Sequence, residues 1–550
     1  MRSGQTNSGV SVQAIAGSHV VMLGMDADEE ARPGLLGFAV HRADHTEDEQ
    51  YWLRGLRTFQ ETSPHPVPGG LVSTLEHPVQ DFLWSDFTAK PDHHYTYRIV
   101  PLYDRPKSLR QGPAVELEVH TESESAGQHA VFFNRGVIGS QAYARKFGNQ
   151  DPGQDPAALR WLSRGLEEAM IGFLRQAQDE SFAIRAAVYE FTYEPVLREF
   201  QSAAERCRDV RIIYDARPGP NKPVAASDRM IDEVGIRDLM VPRKTNLSFI
   251  AHNKFIVLLK DGAPVEVWTG STNLTLSGLF GHSNVGHIVR DQGAARAFLD
   301  YWSRLENDPA ATTLRPANAA ASPNPPVPLP AGILPIFSPR PNTSMLDAYA
   351  GIMDRARQTV CFTAAFGVNQ TLAAVFAEDK PFLRFLLLEK PGETFDQLTE
   401  DRDNQIAIGA FLKDDFLSRW VREKENTLSR HVKFIHTKYM LVDPLSEDPI
   451  VISGSANFSV ASTKDNDENM LIIQGDKRVA DMYLGEFMRL FTHFRFRNIA
   501  NRQASADPAE RERAFLAPND SWTDPFYQPD STRFKQRELF RLPAAVGAGL

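Results

Sequence analysis

Between residues 10 and 120, apolar and polar positions alternate with a period of two, as in Tyr95-Thr96-Tyr97-Arg98-Ile99-Val100 and Val115-Glu116-Leu117-Glu118-Val119. Such alternation puts every second side chain on one face of a strand. Runs of it separated by Pro, Gly and Asp predict an antiparallel sandwich. Residues 121–127 are polar and read as a linker. Beyond them the pattern changes to a helical stretch at 157–177, an apolar run at 183–189, a helix to about Cys207, and the strand Val210-Arg211-Ile212-Ile213-Tyr214 ending in Asp215. Buried strands alternating with helices predict α/β layers.

Residues 308–341 are rich in proline, with Pro323, Pro325, Pro326, Pro328 and Pro330, and predict an extended connector. After it the earlier order returns: a helix at 345–357, a strand at 360–364, another helix, and a strand at 383–388. The chain therefore divides into a β-sandwich (1–122), a first α/β half (123–308), a proline-rich linker (309–342), a second α/β half (343–500) and a tail (501–550). The tail's Trp522, Phe526, Tyr527, Phe534 and Phe540 predict that it packs back onto the catalytic body.

A chain of 550 residues is long enough for two or three cores. Its formal net charge of -10 argues against a protein that coats nucleic acid by charge alone, though a basic cleft can sit inside an acidic total. Two cysteines, Cys207 and Cys361, exclude a disulfide scaffold and a cysteine-based zinc site and point to a reducing, cytoplasmic setting. The stretch 10–25 is interrupted by Ser11, Gln13, Ser18 and His19, so it makes a poor signal peptide. No apolar run of spanning length occurs, so a lipid substrate would be met at a transient membrane surface.

Two clusters carry candidate chemistry. His252-Asn253-Lys254 is followed by Gly270-Ser271-Thr272-Asn273, and His436-Thr437-Lys438 by Gly454-Ser455-Ala456-Asn457. One offset of 184 residues relates every polar member of the two sets. His431-Val432-Lys433 is an internal control: it has the triplet but Ile452 where an asparagine would follow. On a strand, His252 and Lys254 share a face, as do His436 and Lys438. Two imidazoles can supply a nucleophile and a proton donor for a phosphodiester. Lys254, Lys438, Asn273 and Asn457 can hold the phosphoryl oxygens, with the Ser271 and Ser455 hydroxyls assisting, and no metal or cofactor is required.

With these motifs the chain resembles the phospholipase D superfamily, whose signature is His-x-Lys, four residues, Asp, then Gly-Ser-x-Asn. The resemblance covers residues 130–500. It implies two pseudo-symmetric α/β/α halves forming one catalytic unit, preceded by the all-β sandwich, with a complete site in a monomer. It also implies a phosphohistidine intermediate; His252 is assigned as the nucleophile and His436 as acid and base. Asp443 stands at the family's aspartate, whereas Leu259 holds that place in the first half. Asp261 lies two residues on, in an Asp-Gly pair that reads as a hairpin turn or as a displaced carboxylate. Glu468, in Asn466-Asp467-Glu468, is expected to orient a histidine, while the counterpart Asn284-Val285-Gly286 lacks the acid.

His282 and His287 flank that gap as structural loop histidines or as part of the site, and Asn134-Arg135 and Arg145-Lys146 are helix-surface charges or extra phosphate contacts. Residues 95–103 resemble a fibronectin type III strand region, a module that docks protein partners or spaces domains. Phospholipid is favoured as substrate by the two-motif architecture. A nuclease acting on DNA or RNA is the alternative, and a weakened phosphate-binding protein a third.

Overall fold

The computed structural model describes residues 1–65, 70–136, 140–218, 224–410, 432–503 and 515–541. The period-two region forms two antiparallel sheets. One joins Arg2–Asn7, Val10–Ala16, Val21–Ala27 and Leu83–Asp86; the other is built around Leu35–Asp44 and His94–Arg105, flanked by Glu49–Trp52, Ser108–Gln111 and Val115–His120. Val12 and Leu23 from the first sheet meet Phe38, Tyr97, Ile99 and Leu117 from the second in one core. The polar alternates Glu116 and Glu118 remain exposed, as a half-buried strand requires.

Each α/β half is a seven-stranded sheet with the same strand order. In the first the order is His129–Phe133, Val285–Val289, Ala263–Gly270, Lys254–Lys260, Phe182–Val188, Asp209–Asp215, Met240–Arg243. In the second it is Gly332–Ser338, Glu468–Gln474, Ile450–Gly454, Tyr439–Val442, Val360–Ala364, Arg384–Leu388, Asn404–Ile408. Four strand pairings in each are antiparallel and the last two parallel. The central strands are buried on both faces. Phe255 and Val257 point with Tyr439 and Leu441 into a core shared by the halves, while Ile256 and Met440 point into separate outer cores. The helices Gln292–Leu305 and Lys477–Gln503 also contribute side chains to the shared core, such as Phe298, Tyr301, Tyr483 and Phe487.

Three elements differ from the sequence expectation. The helix expected at 157–177 is broken into Pro156–Ser163 and Leu166–Arg175, because Arg164 and Gly165 both adopt positive φ (48° and 91°). Arg164 is not wasted there: its guanidinium donates to the Phe133 carbonyl (2.9 Å) and to Glu486 on the long helix (2.7 Å). The stretch 309–342 is not a plain connector, since it contains the helix Ala311–Ala321 and the strand Gly332–Ser338. Its prolines concentrate between those elements, and Pro335 is tolerated because its strand lies at the sheet edge. The tail, expected on the catalytic body, lies chiefly against the β-sandwich: Trp522, Phe526 and Tyr527 pack around Phe82, and only Phe540 enters the shared core. Aromatic content announces burial without naming the partner surface. No described helix is long and apolar enough to cross a membrane.

Candidate active site

The two sheets meet through an exchange that repeats at the 184-residue offset. His252 N–H donates to the Asp467 carbonyl (3.0 Å) and Asp467 N–H to the Ile250 carbonyl (2.9 Å). Equivalently, His436 N–H donates to the Ser283 carbonyl (3.2 Å) and Ser283 N–H to the Phe434 carbonyl (2.8 Å). Each histidine-bearing segment is thus tied to the opposite half. Glu389 adds a further clamp, accepting the backbone N–H groups of Lys433, Phe434 and Ile435 at 2.7, 3.0 and 2.7 Å, so the chain enters His436 with little freedom. His431, the first residue of the control triplet, lies outside the described residues.

Each His-x-Lys triplet sits at the entry to its strand rather than within it: the first strand begins at Lys254 and the second at Tyr439. Both lysines curl back in the same way, Lys254 Nζ donating to the His252 carbonyl (2.7 Å) and Lys438 Nζ to the His436 carbonyl (2.5 Å). All four residues are buried. Burial drives Lys254 down to about 8. It lowers Lys438 well below its ordinary value, with the charge of Lys254 adding to the effect. The lysines' charges act on both histidines, each reaching the histidine of the other half, and together with burial they hold both well below the usual imidazole range. Two poorly solvated ammonium groups side by side make an anion-seeking site.

The orienting groups cross between halves. His252 Nδ1 lies 2.9 Å from both Oε1 and Oε2 of Glu468, which belongs to the second half. His436 Nδ1 lies 2.8 Å from Asn284 Oδ1, which belongs to the first. Asn284 and Glu468 are themselves 184 residues apart. This corrects the sequence reading, in which Gly286 was matched to Glu468 through the neighbouring asparagine. The register is two residues earlier, and the carboxylate serves the first histidine, not the second. Burial pushes Glu468 up to about 8, although Lys254 and the Ser455 hydroxyl draw it down.

Ser271 and Ser455 were expected to assist the phosphoryl group, but their hydroxyls are engaged elsewhere. Ser271 Oγ donates to Asn284 Oδ1 (2.8 Å), and Ser455 Oγ donates to Glu468 Oε2 (2.6 Å). Both serines hold the groups that hold the histidines. Asn273 Nδ2 donates to Glu190 Oε2 (2.6 Å), and both Asn273 and Asn457 keep a buried Oδ1 without a hydrogen-bond partner. Asp443 is no neighbour of the histidines. Its carboxylate closes the turn before Val360–Ala364, accepting N–H groups from Arg357, Gln358 and Thr359 at 2.8, 2.7 and 3.0 Å. Asp261 makes the hairpin turn with Gly262, both at positive φ between paired Lys260 and Ala263, so it replaces no carboxylate.

His287 is structural, bonded to His129 (2.9 Å) and to the Tyr483 hydroxyl (3.0 Å). His282 belongs to the site, its ring 4.6 Å from that of His436. Asn134 anchors the same loop through the carbonyls of Leu279 and His282, both at 2.9 Å. Arg135 lies over the Trp161 ring, and Arg145 and Lys146 end the helix Gln141–Phe147; none joins the cluster. Two residues were missed altogether. Tyr189 packs edge-on against His252 (4.9 Å) and lies 5.3 Å from Lys254 Nζ, and Glu190 holds Asn273. They follow an apolar strand with no motif of their own, so only the sheet brings them to the histidines.

A family model described as "Cardiolipin synthase, PLD-like domain" matches residues 170–305 and 388–491, spans that include both His-x-Lys and both Gly-Ser-x-Asn sets. No curated protein matches the chain by sequence. Among solved structures, the polyphosphate kinase of Porphyromonas gingivalis is similar at 13% identity over 57% of this chain and 46% of that one, with a TM-score of 0.36. This chain thus spans less than half the length of that kinase. The phosphatidylserine synthase of Haemophilus influenzae is similar at 13% identity over 60% and 85%, with a TM-score of 0.42. Yeast tyrosyl-DNA phosphodiesterase is similar at 12% identity over 56% and 86%, with a TM-score of 0.32.

Proposed function

Since the chain belongs to the phospholipase D superfamily, we propose that it is a phosphodiesterase with a single site in which His252 is the nucleophile and His436 the proton donor and acceptor. The observation that carries the assignment is the unequal pair of orienting groups. A phosphorylated imidazole that keeps its Nδ1–H is cationic, and Glu468 beside Nδ1 of His252 stabilises that cation. Asn284 offers His436 only a neutral oxygen, so a protonated His436 remains a strong acid.

A diester phosphate bound between Lys254 and Lys438 cancels the charges that depress His436, so its proton is taken up as substrate binds. His252 Nε2 attacks phosphorus, the P–O bond to the leaving alcohol breaks, and His436 Nε2 delivers the proton to that oxygen. Neutral His436 then takes a proton from water, whose oxygen displaces His252 and releases the phosphomonoester. On this reading Asn273 and Asn457 join the lysines in binding the phosphoryl oxygens.

Phospholipid is the favoured substrate. Phe366, two residues beyond the strand Val360–Ala364, is 55% exposed, and Val460, three residues past Asn457, is 45% exposed. Leu247, five residues before His252, is 61% exposed. Large apolar side chains on two loops and at the start of the helix Val460–Lys464 suit an acyl-bearing substrate better than a polyanion. The test incubates purified protein with mixed phospholipid vesicles and with single- and double-stranded DNA, beside His436→Ala. Headgroup release that the variant lacks, without nucleic-acid cleavage, is expected. Cleavage of DNA with intact lipid would establish a nuclease instead, and no turnover of either would remove the enzymatic reading.

A further inference from the structure

The residue beside each orienting group differs between the halves. In the second half this is Asn466, whose Oδ1 accepts Ile250 N–H at 3.0 Å and whose Nδ2 donates to Glu468 Oε1 at 3.5 Å without meeting either catalytic-motif histidine ring. Its equivalent in the first half, 184 residues earlier, is His282, which is buried and faces the His436 ring at 4.6 Å and 40°.

Around Asn284 the hydrogen bonds have one consistent arrangement. The Gly278 carbonyl lies 2.7 Å from one end of the Asn284 amide and can only accept, so that end is Nδ2. Nδ2 is also 2.9 Å from His282 Nδ1, which must then accept too, leaving the His282 proton on Nε2. Oδ1 consequently faces His436 Nδ1 and the Ser271 hydroxyl, each at 2.8 Å. Facing an oxygen, His436 Nδ1 keeps its hydrogen, and the proton that comes and goes must sit on Nε2. Burial and Lys438 keep His282 itself neutral, down to about 3, so it stays an acceptor throughout the working pH range.

We propose that His282 is a positioning residue for the proton-transfer steps: it completes the Asn284 amide and packs against His436, holding the ring so that the mobile proton on Nε2 stays aimed at the leaving oxygen. This rests on His436 being the acid of the reading above. Remove the imidazole, and one amide hydrogen is buried without an acceptor while the His436 ring loses the surface that fixes its plane. The Gly278 carbonyl and the Ser271 hydroxyl still hold the amide, so His436 keeps its Nδ1 hydrogen, but the unsupported ring no longer aims Nε2 at the leaving oxygen.

Leaving-group dependence tests this, because p-nitrophenolate departs without being protonated. Single-turnover release is compared for dioctanoyl phosphatidylglycerol and dioctanoyl phosphatidyl-p-nitrophenol, in the wild type, His282→Leu and His282→Asn. His282→Leu is expected to slow the glycerol ester about tenfold or more and the p-nitrophenyl ester less than about twofold. His282→Asn, which restores an acceptor oxygen, should recover most of the loss. Equal slowing of both esters, or no slowing of either, would overturn the proposal.

The second measurement needs no substrate and no variant at position 282. In ¹⁵N-histidine-labelled wild type, with His436 assigned by difference against His436→Ala, the Nδ1–H tautomer is expected, and an Nε2–H tautomer would overturn the proposal. If the wild type cleaves neither ester, the phospholipid reading fails while the tautomer still decides the role of His282.

Discussion

The two α/β halves share strand order, pairing sense and even the backbone exchange at Ala251 and Ile435, yet besides His282 and Asn466 they differ at three more equivalent places. Asn284 stands opposite Glu468, Leu259 opposite Asp443, and Glu190 opposite Phe366, the last pair lying two residues beyond equivalent strands. The shared set brings two histidines and two lysines to matching positions. The unshared set makes the histidines chemically distinct, because one Nδ1 faces a carboxylate and the other an amide. On the proposed reading, symmetry builds the cradle and its breaking separates nucleophile from acid.

The largest test of that division removes each histidine. His252→Ala should lower turnover by about 10⁴ or more and abolish covalent labelling by a p-nitrophenyl diester. His436→Ala should lose as much on an aliphatic diester yet still allow His252 to be labelled, as read by mass spectrometry. Labelling on residue 436 in His252→Ala would reverse the roles.

Next comes the exchange of orienting groups. Glu468→Gln is expected to cost roughly 10² to 10³ in kcat, because it removes the charge opposite a developing imidazolium. Asn284→Asp should change kcat by less than about tenfold. Equal losses would show that the two orienting positions are interchangeable.

The pH profile follows from the same contrast. Below about 8 Glu468 keeps its proton, so the His252 pair carries one proton too many for Nε2 to attack. Above about 8 Lys254 loses its own proton and with it the charge that binds the phosphoryl group. The wild-type kcat/KM should therefore rise toward pH 8 and fall beyond it, by up to tenfold per pH unit on each limb. Glu468→Gln should remove the acidic limb and leave the basic one.

The smallest effect on chemistry concerns the second difference, Leu259 opposite Asp443. Asp443→Ala removes the acceptor of three backbone N–H groups and should lower stability by about 1–3 kcal/mol, seen as a Tm a few degrees lower, with kcat per folded molecule unchanged. Leu259→Asp should also destabilise, since that position is buried in the shared core, and should bring no gain in rate. A kcat loss in Asp443→Ala would place that carboxylate in the chemistry after all.

The 184-residue offset and the doubled motifs were enough to identify a two-half α/β body and to single out both His-x-Lys and both Gly-Ser-x-Asn sets, because similar local patterns fold into similar strand entries. The same offset, applied from Glu468, also reaches Asn284; matching asparagine to asparagine concealed it. Local pattern could not reveal that Glu468 serves His252 across the interface, that Ser271 and Ser455 support the orienting groups, or that the tail seeks the β-sandwich. Nor could it bring Tyr189, Glu190 and His282 to the site. Those facts depend on which surfaces meet when two sheets bury a common core, and burial between segments hundreds of residues apart is decided by the whole fold. The residue types and their spacing set what chemistry was available, and the packing of one half against the other decided which histidine faces a carboxylate and which an amide.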